Sequence, residues 1–321
     1  MSALQVIVLF SFGVVLLVKG ADLLVEGSSD LAKALGVPSL VIGMTIVAFG
    51  TSVPELVVSF VAAKAGNTNI MLGNIVGSNI ANIALVLGIG ALITPINTSK
   101  SVLRRECLFT LVISLIFASQ VWDGELSAIE GLLIISVFVI FEWIYTRMTL
   151  KAARGRNSRG DDGEKISYIK CIGLIIVGLI GVIIGGELVV NNAIKIAKFL
   201  NVSDAVIGLT MVAVGTSLPE IVTTAISLYK QEEELSVGNA IGSNIMNIGL
   251  VGGSIPIFYT VKTPQLEIPL LQFNLIFMVL ILIVAMLIIY LKNGFRRNSG
   301  LFLITIYIFY TIYIFYQGAG A

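Results

Sequence analysis

Two glutamates stand inside apolar segments, each closing the same phrase. The phrases are Gly50-Thr51-Ser52-Val53-Pro54-Glu55 and Gly215-Thr216-Ser217-Leu218-Pro219-Glu220. Upstream, Gly43 to Phe49 and Gly208 to Val214 extend the likeness to thirteen residues. An acid in a bilayer costs several kcal/mol unless a partner or cavity receives it. Proline offers no amide hydrogen and its ring displaces the carbonyl four residues back. Pro54 and Pro219 are therefore expected to free carbonyls near Gly50 and Gly215. Each phrase then supplies a carboxylate, hydroxyls and backbone oxygens. Such hard oxygen ligands suit Ca²⁺ or Na⁺ and not a soft metal.

A second phrase is doubled too: Gly73-Asn74-Ile75-Val76-Gly77-Ser78-Asn79-Ile80-Ala81-Asn82 and Gly238-Asn239-Ala240-Ile241-Gly242-Ser243-Asn244-Ile245-Met246-Asn247. The offset is constant, since 220 − 55, 243 − 78 and 247 − 82 all give 165. Asn74, Ser78 and Asn82 fall four residues apart and share one helix face, as do Asn239, Ser243 and Asn247. Glycines at 73, 77, 238 and 242 would let that face approach a glutamate-bearing helix. Hydroxyls can also bond the carbonyl four residues back with no further role. Asn79 and Asn244 could lock helix to helix. Asp22 and Glu187, near predicted helix ends, read as solvated or snorkelling groups, and Glu232-Glu233-Glu234 as a solvated loop.

The elements that must position these groups are membrane helices. The chain is 57% apolar and only 12% charged, against roughly a quarter charged in soluble domains. It contains no histidine, which excludes histidine metal sites, triads and proton relays. The charge of +1 builds no groove for nucleic acid. Cys107 and Cys171 match no metal spacing and are expected reduced and facing the membrane. The N-terminus lacks the features of a signal peptide and reads as the first span. A span needs about 20 apolar residues. Ten stretches qualify: 3–24, 37–64, 69–95, 103–121, 126–147, 169–190, 203–229, 236–258, 267–291 and 299–317. The expected fold is all-α and polytopic, with ten transmembrane helices.

The polar linker at 148–168 divides the chain into five-helix halves, 1–147 and 169–321. Gly20, Asp22, Leu23 and Val25 match Gly185, Glu187, Leu188 and Val190 at the same offset. Five is odd, so the second half must enter the membrane from the opposite face, as an inverted repeat. The positive-inside rule agrees when both termini are outside and the linker is cytoplasmic. Lys100, Arg104, Arg105, the linker cations, Lys230, Lys292, Arg296 and Arg297 then lie inside.

With Gly-Thr-Ser-x-Pro-Glu and Gly-Asn-x-x-Gly-Ser-Asn in both halves, the chain resembles the cation/calcium antiporters, and within them the prokaryotic sodium/calcium exchangers. The resemblance covers essentially the whole sequence. It implies two inverted five-helix halves around one calcium position flanked by sodium positions. Calcium would be held by Glu55, Glu220 and the carbonyls of Thr51 and Thr216. Sodium would use Ala48, Thr51, Ser52, Ser78, Ala213, Thr216, Ser217 and Ser243 with the two glutamates. Asn82 and Asn247 would complete a polar ring. Some members, notably the potassium-dependent ones, carry Asp where this chain has Asn247. The large regulatory loop of animal relatives is absent.

The implied activity is secondary antiport of Na⁺ against Ca²⁺ by alternating access across the cell membrane, without an enzymatic step or a cofactor beyond the transported ions. The partners are those ions and the lipid bilayer, and the oligomeric state is left open. Proton/calcium exchange, potassium-dependent exchange and a cation channel are the alternatives. An intramembrane hydrolase would need a nucleophile–base pair that the chain lacks.

Overall fold

A computed structural model describes residues 3–98, 100–157, 167–200 and 213–319. Residues 208–212 of the repeated phrase, the side chain of Ala213 and the linker from 158 to 166 lie outside what it describes. The first helix, α1 (Ala3–Leu35), is followed by α2 (Ser39–Thr51) and α3 (Val53–Lys64). Then come α4 (Thr68–Ile93), strand β1 (Ile96–Asn97), α5 (Leu108–Gln120), β2 (Glu125–Leu126) and α6 (Ala128–Asn157). The second half contains α7 (Tyr168–Phe199), α8 (Ala213–Thr216), α9 (Leu218–Tyr229) and α10 (Glu233–Phe258). It ends with β3 (Val261–Lys262), α11 (Ile268–Lys292), β4 (Gly294–Phe295) and α12 (Arg297–Ala319).

Seven of these helices are long and apolar enough to cross a membrane, and α2 with α3 makes an eighth candidate, bent by 42°. The expected span at 103–121 is helical without a break from Lys100 to Gln120, with a π turn at Leu103–Cys107 leading into the 13-residue α5. The expected span at 203–229 begins outside the described residues.

Glycine decides how α1 meets α7. Gly13, Gly20 and Gly27 recur every seven residues and lie against Gly185, Val182 and Cys171 of an antiparallel α7. A Cβ at Gly20 would stand 2.6 Å from the Val182 nitrogen, and one at Gly178 2.5 Å from the Leu24 nitrogen. The helices thus touch backbone to backbone, as small residues permit in membranes. Val15, Ile180 and Ile184 project away as exposed apolar groups.

Two short strand pairs tie the ends of the bundle. β1 pairs antiparallel with β4, and β2 with β3. Since β1 and β2 flank α5, the two pairs cap opposite ends. The turn between α9 and α10 belongs to the β1–β4 end, where Asn97 N donates to Glu233 Oε2 at 2.6 Å. The turn between α3 and α4 belongs to the β2–β3 end, where Thr68 Oγ1 donates to the Lys262 carbonyl at 2.6 Å.

Several expectations need correction. Cys107 and Cys171 do not face the membrane: both are buried among core side chains. Asp22 and Glu187 lie well inside long helices, because α1 and α7 continue beyond their apolar runs. The Glu232–Glu234 run is no loose loop. Glu232 stands at the N-cap position of α10 and accepts from Ser29 and Ser39, while Glu233 opens the helix. The run binds because its carboxylates meet donors from three other segments.

Candidate functional site

The proline phrases form matched breaks. Ser52 separates α2 from α3 at φ −86°, ψ 3°, and Ser217 separates α8 from α9 at φ −85°, ψ 4°. Pro54 and Pro219 occupy the first turn of the new helix, where a missing N–H costs no hydrogen bond. Each break delivers its glutamate to the first turn of α3 or α9. There the carboxylate faces the positive end of the helix dipole. One expectation fails. The Gly50 carbonyl is not freed, since N–H groups of the tightened turn bond Ala48 O and Gly50 O.

Glu55 and Glu220 are both buried, at 1% and 0% exposure, and lie within electrostatic reach of each other. Ser78 is beside Glu55, and Thr51, Ser243 and Ser52 are beside Glu220. Thr51 Oγ1 donates to Asn239 Oδ1 at 3.1 Å and stands 3.4 Å from Ser243 Oγ. Ser243 Oγ in turn donates to Glu220 Oε1 at 3.4 Å. Residues from both halves therefore meet at one place.

Many of these oxygens have no hydrogen-bond partner. Both oxygens of Glu55, Glu220 Oε2, the hydroxyls of Ser52 and Ser217, and both amide atoms of Asn82 and Asn247 are buried and unpaired. Buried polar groups are normally paired, and each exception requires an explanation. Orphaned oxygens on two carboxylates that feel one another, with an orphaned hydroxyl at Ser52 beside Glu220, are what a desolvated cation would satisfy. Among the described residues no group of three or more Asp, Glu, Cys or His side chains is placed to hold a metal ion. The charge here thus rests on two carboxylates, with neutral oxygens completing the shell.

The asparagines introduce irregular helix. Asn82 opens a π turn at Asn82–Val86, and Asn247 opens another at Asn247–Gly252. Such turns are rare and recur at functional sites. Another, at Gly43–Val47, precedes the first proline phrase. Nothing in the residue types announced these turns.

Two further pairs were missed as site residues. Asn74 Nδ2 donates to the Glu55 carbonyl at 3.1 Å and to Ser59 Oγ at 2.8 Å. Asn239 Nδ2 reaches the Glu220 carbonyl at 3.5 Å and Thr224 Oγ1 at 3.3 Å. These amides fix the glutamate-bearing turns. The available signal was a hydroxyl four residues after each glutamate, at Ser59 and Thr224. Gly238 and Gly242 pack tightly against α2, on Leu40 O and Met44. The counterparts of those partners for Gly73 and Gly77 fall at 205–209, outside the described residues.

The two halves differ in exposure. Thr51 is fully buried, whereas Thr216 borders a cavity of about 550 Å³. That cavity runs from Pro54 and Pro219 past Val57, Val58, Glu187 and Asn191 toward the β2–β3 end. Ala48 is buried beside the site.

Comparison with known proteins places this geometry. The sodium/calcium exchanger protein family matches residues 5–147 and 170–316. The sodium/calcium exchanger MaX1 of Methanosarcina acetivorans is 33% identical, over 95% of this chain and 97% of its own length. The inner membrane protein YrbG of Escherichia coli is 37% identical, over 75% of this chain and 76% of its own. A solved structure of the sodium-calcium exchanger NCX_Mj, soaked with zero Na⁺ and Ca²⁺, superposes with a TM-score of 0.81 at 33% identity, covering 96% and 98% of the two chains. On these matches, the chain is a multi-pass membrane protein that belongs to the sodium/calcium exchanger family.

Proposed function

We propose that this protein exchanges Na⁺ for Ca²⁺ by alternating access through the site between Glu55 and Glu220. The observation that carries the proposal is the set of buried, unpaired oxygens on Glu55, Glu220, Ser52, Ser217, Asn82 and Asn247. One Ca²⁺ or several Na⁺ neutralise two carboxylates, but they draw on the same oxygens and exclude one another. An empty pair of buried acids is costly in a low dielectric. That cost opposes return of the unloaded carrier and couples the two fluxes. Calcium would take Glu55, Glu220 and the carbonyls of Thr51 and Thr216. Sodium would use Ala48, Thr51, Ser52, Ser78, Ala213, Thr216, Ser217 and Ser243, with Asn82 and Asn247 closing the ring.

The proposal includes two inverted five-helix halves, 1–147 and 169–321, joined by a cytoplasmic linker at 148–168. The end contacts support it. The turns at 65–67 and 230–232 are counterparts at the 165-residue offset, yet they lie at opposite ends. Strands β1 and β3 are also counterparts, and they fall in different pairs. In this orientation the β1–β4 end is cytoplasmic, both termini are external, and the cavity faces outward. Helices α1 and α7 would slide together past the site to reverse access, as the family resemblance implies.

Reconstituted proteoliposomes test the proposal. Loaded with Na⁺, they should take up ⁴⁵Ca²⁺ only while the outward Na⁺ gradient lasts. Uptake without a counter-ion would identify a channel, and uptake driven by a proton gradient alone would identify proton/calcium exchange.

A further inference from the structure

The 165-residue offset gives every residue of the outward cavity a counterpart. Val57 and Val58 correspond to Val222 and Thr223, and Glu187, Asn191 and Ile194 to Asp22, Glu26 and Ser29. Of these counterparts Thr223 and Ser29 are buried, while Asp22 and Glu26 at the mouth keep 37% and 43% of their side chains exposed. Val58 is 37% exposed, whereas Thr223 is 0% exposed and its hydroxyl has no partner. Ser28, next to Ser29, is equally buried and unpaired. A buried hydroxyl without a partner is costly where no water reaches it. The closed seam is therefore lined with polar groups that a wet passage would satisfy. In the first half the cavity wall at this level is apolar.

A set of ion pairs crosses the mouth of the seam. Lys230 Nζ lies 2.6 Å from Asp22 Oδ1 and 3.9 Å from Glu26 Oε2, and it donates to the Asp22 carbonyl at 3.1 Å. Beside it Glu232 accepts from Ser29 and from Ser39, and lies 4.0 Å from Lys33. Lys170 of α7 reaches Glu26 at 4.0 Å. These contacts fasten α1, the helix that must move, to the α9–α10 turn. At the other end the counterparts of Lys230 and Glu232 are the uncharged Ala65 and Asn67.

Resting on the antiport reading above, we propose that Lys230 is the latch of the cytoplasmic gate. It holds Asp22 and Glu26 while the site faces outward. When α1 slides, Lys230 leaves, and the two carboxylates line the inner mouth and attract the entering cation. Lys230 is a positioning residue, since it touches no transported ion in the outward-facing state.

The test reads sidedness. Cys107 and Cys171 are replaced by Ala, and Thr223→Cys or Val58→Cys reports access from the cytoplasmic or the external side. A membrane-impermeant cationic thiol reagent is applied to inside-out or right-side-out vesicles holding the full chain. Lys230→Gln should speed modification of Thr223→Cys about tenfold and slow that of Val58→Cys, because one gate opens as the other closes. Lys230→Arg keeps the pair and should match the parent. Speeding at both positions would mean a loosened protein and would overturn the proposal. So would an unchanged rate at Thr223→Cys, or equal effects of Gln and Arg. Na⁺-driven Ca²⁺ uptake is measured on the parent. If it is absent while the thiol rates move in opposite directions, the antiport reading falls and the latch stands.

Discussion

Asn244 donates its side-chain amide to the backbone carbonyl of Asn79 at 3.2 Å, and Asn79 is its own counterpart 165 residues earlier. A residue can touch its counterpart only where the two halves meet. This contact therefore marks the centre of the molecule, one helical turn from the unpaired amides of Asn82 and Asn247. The pair is not symmetric: Asn79 Nδ2 turns back to Ile75 O at 2.7 Å. Asn244→Ala should lower thermal stability in detergent by about 0.5–1.5 kcal/mol, the usual worth of an interhelical amide bond in membranes. Asn79→Ala loses only a local bond and should cost less. Equal losses would show that the contact across the halves carries no stability.

Replacing either acid should end transport and spare the fold. Glu55→Gln or Glu220→Gln keeps the shape and removes a charge that the cation requires. Initial Ca²⁺ uptake should drop by about a hundredfold or more, as when one member of a buried charge pair is removed. Both variants should insert and purify, since a neutral amide is cheaper in the membrane than a carboxylate. Ca²⁺ should raise the melting temperature of the parent by binding only the folded state. It should leave either variant unmoved. Near-normal uptake by either variant would remove the glutamates from the site.

Acid should inhibit. A proton on Glu55 or Glu220 removes charge and occupies an oxygen lone pair, so protons and cations compete. Initial uptake should fall as the pH is lowered from about 8 to about 5. Raised Ca²⁺ should restore it, because the competition is for the same oxygens. A flat profile that Ca²⁺ does not alter would place the transported ions elsewhere.

These two glutamates were legible because an acid in an apolar segment is expensive and a doubled one is not accidental. Ser52 and Ser217 were legible through the proline two residues on. The π turns at Asn82 and Asn247 were not. They change one hydrogen-bond register inside otherwise ordinary helix, and no residue type demands that. Burial of the cysteines was hidden because apolar sequence reads alike whether it faces lipid or protein. The role of Glu232 was hidden for the opposite reason: its partners Ser29 and Ser39 lie about two hundred residues away and carry no local pattern.

The contact between α1 and α7 predicts which glycines can be filled. Gly20→Val would drive a branched side chain into the Val182 backbone, 2.6 Å from where its Cβ must stand. Overpacking of this kind costs about 1–3 kcal/mol. The yield of folded protein should fall, and surviving protein should transport slowly because α1 and α7 are forced apart. Gly173→Val is the control, since among the described residues nothing lies within 4 Å of its Cβ. It should express and transport as the parent does. Tolerance of valine at both positions would show that close approach of these helices is dispensable.

Asn247 should set independence from potassium. Its amide is fully buried and unpaired, in a π turn that packs on the Glu55-bearing α3, and it offers one neutral oxygen. Asp would add a full negative charge at the same place. More negative charge favours a further cation or a proton. The parent should exchange Na⁺ for Ca²⁺ equally well with and without K⁺. Asn247→Asp should change the apparent affinities for both ions. It should also steepen the dependence on pH, since a third carboxylate then titrates with Glu55 and Glu220. Asn82→Asp should act in a related way, without identity, because the halves differ in exposure at Thr51 and Thr216. The measurement is Ca²⁺ uptake by Na⁺-loaded vesicles, with and without K⁺ and across pH, for the parent and both variants. A K⁺ requirement in the parent, or wild-type behaviour of both variants at every pH, would remove these asparagines from the ion site.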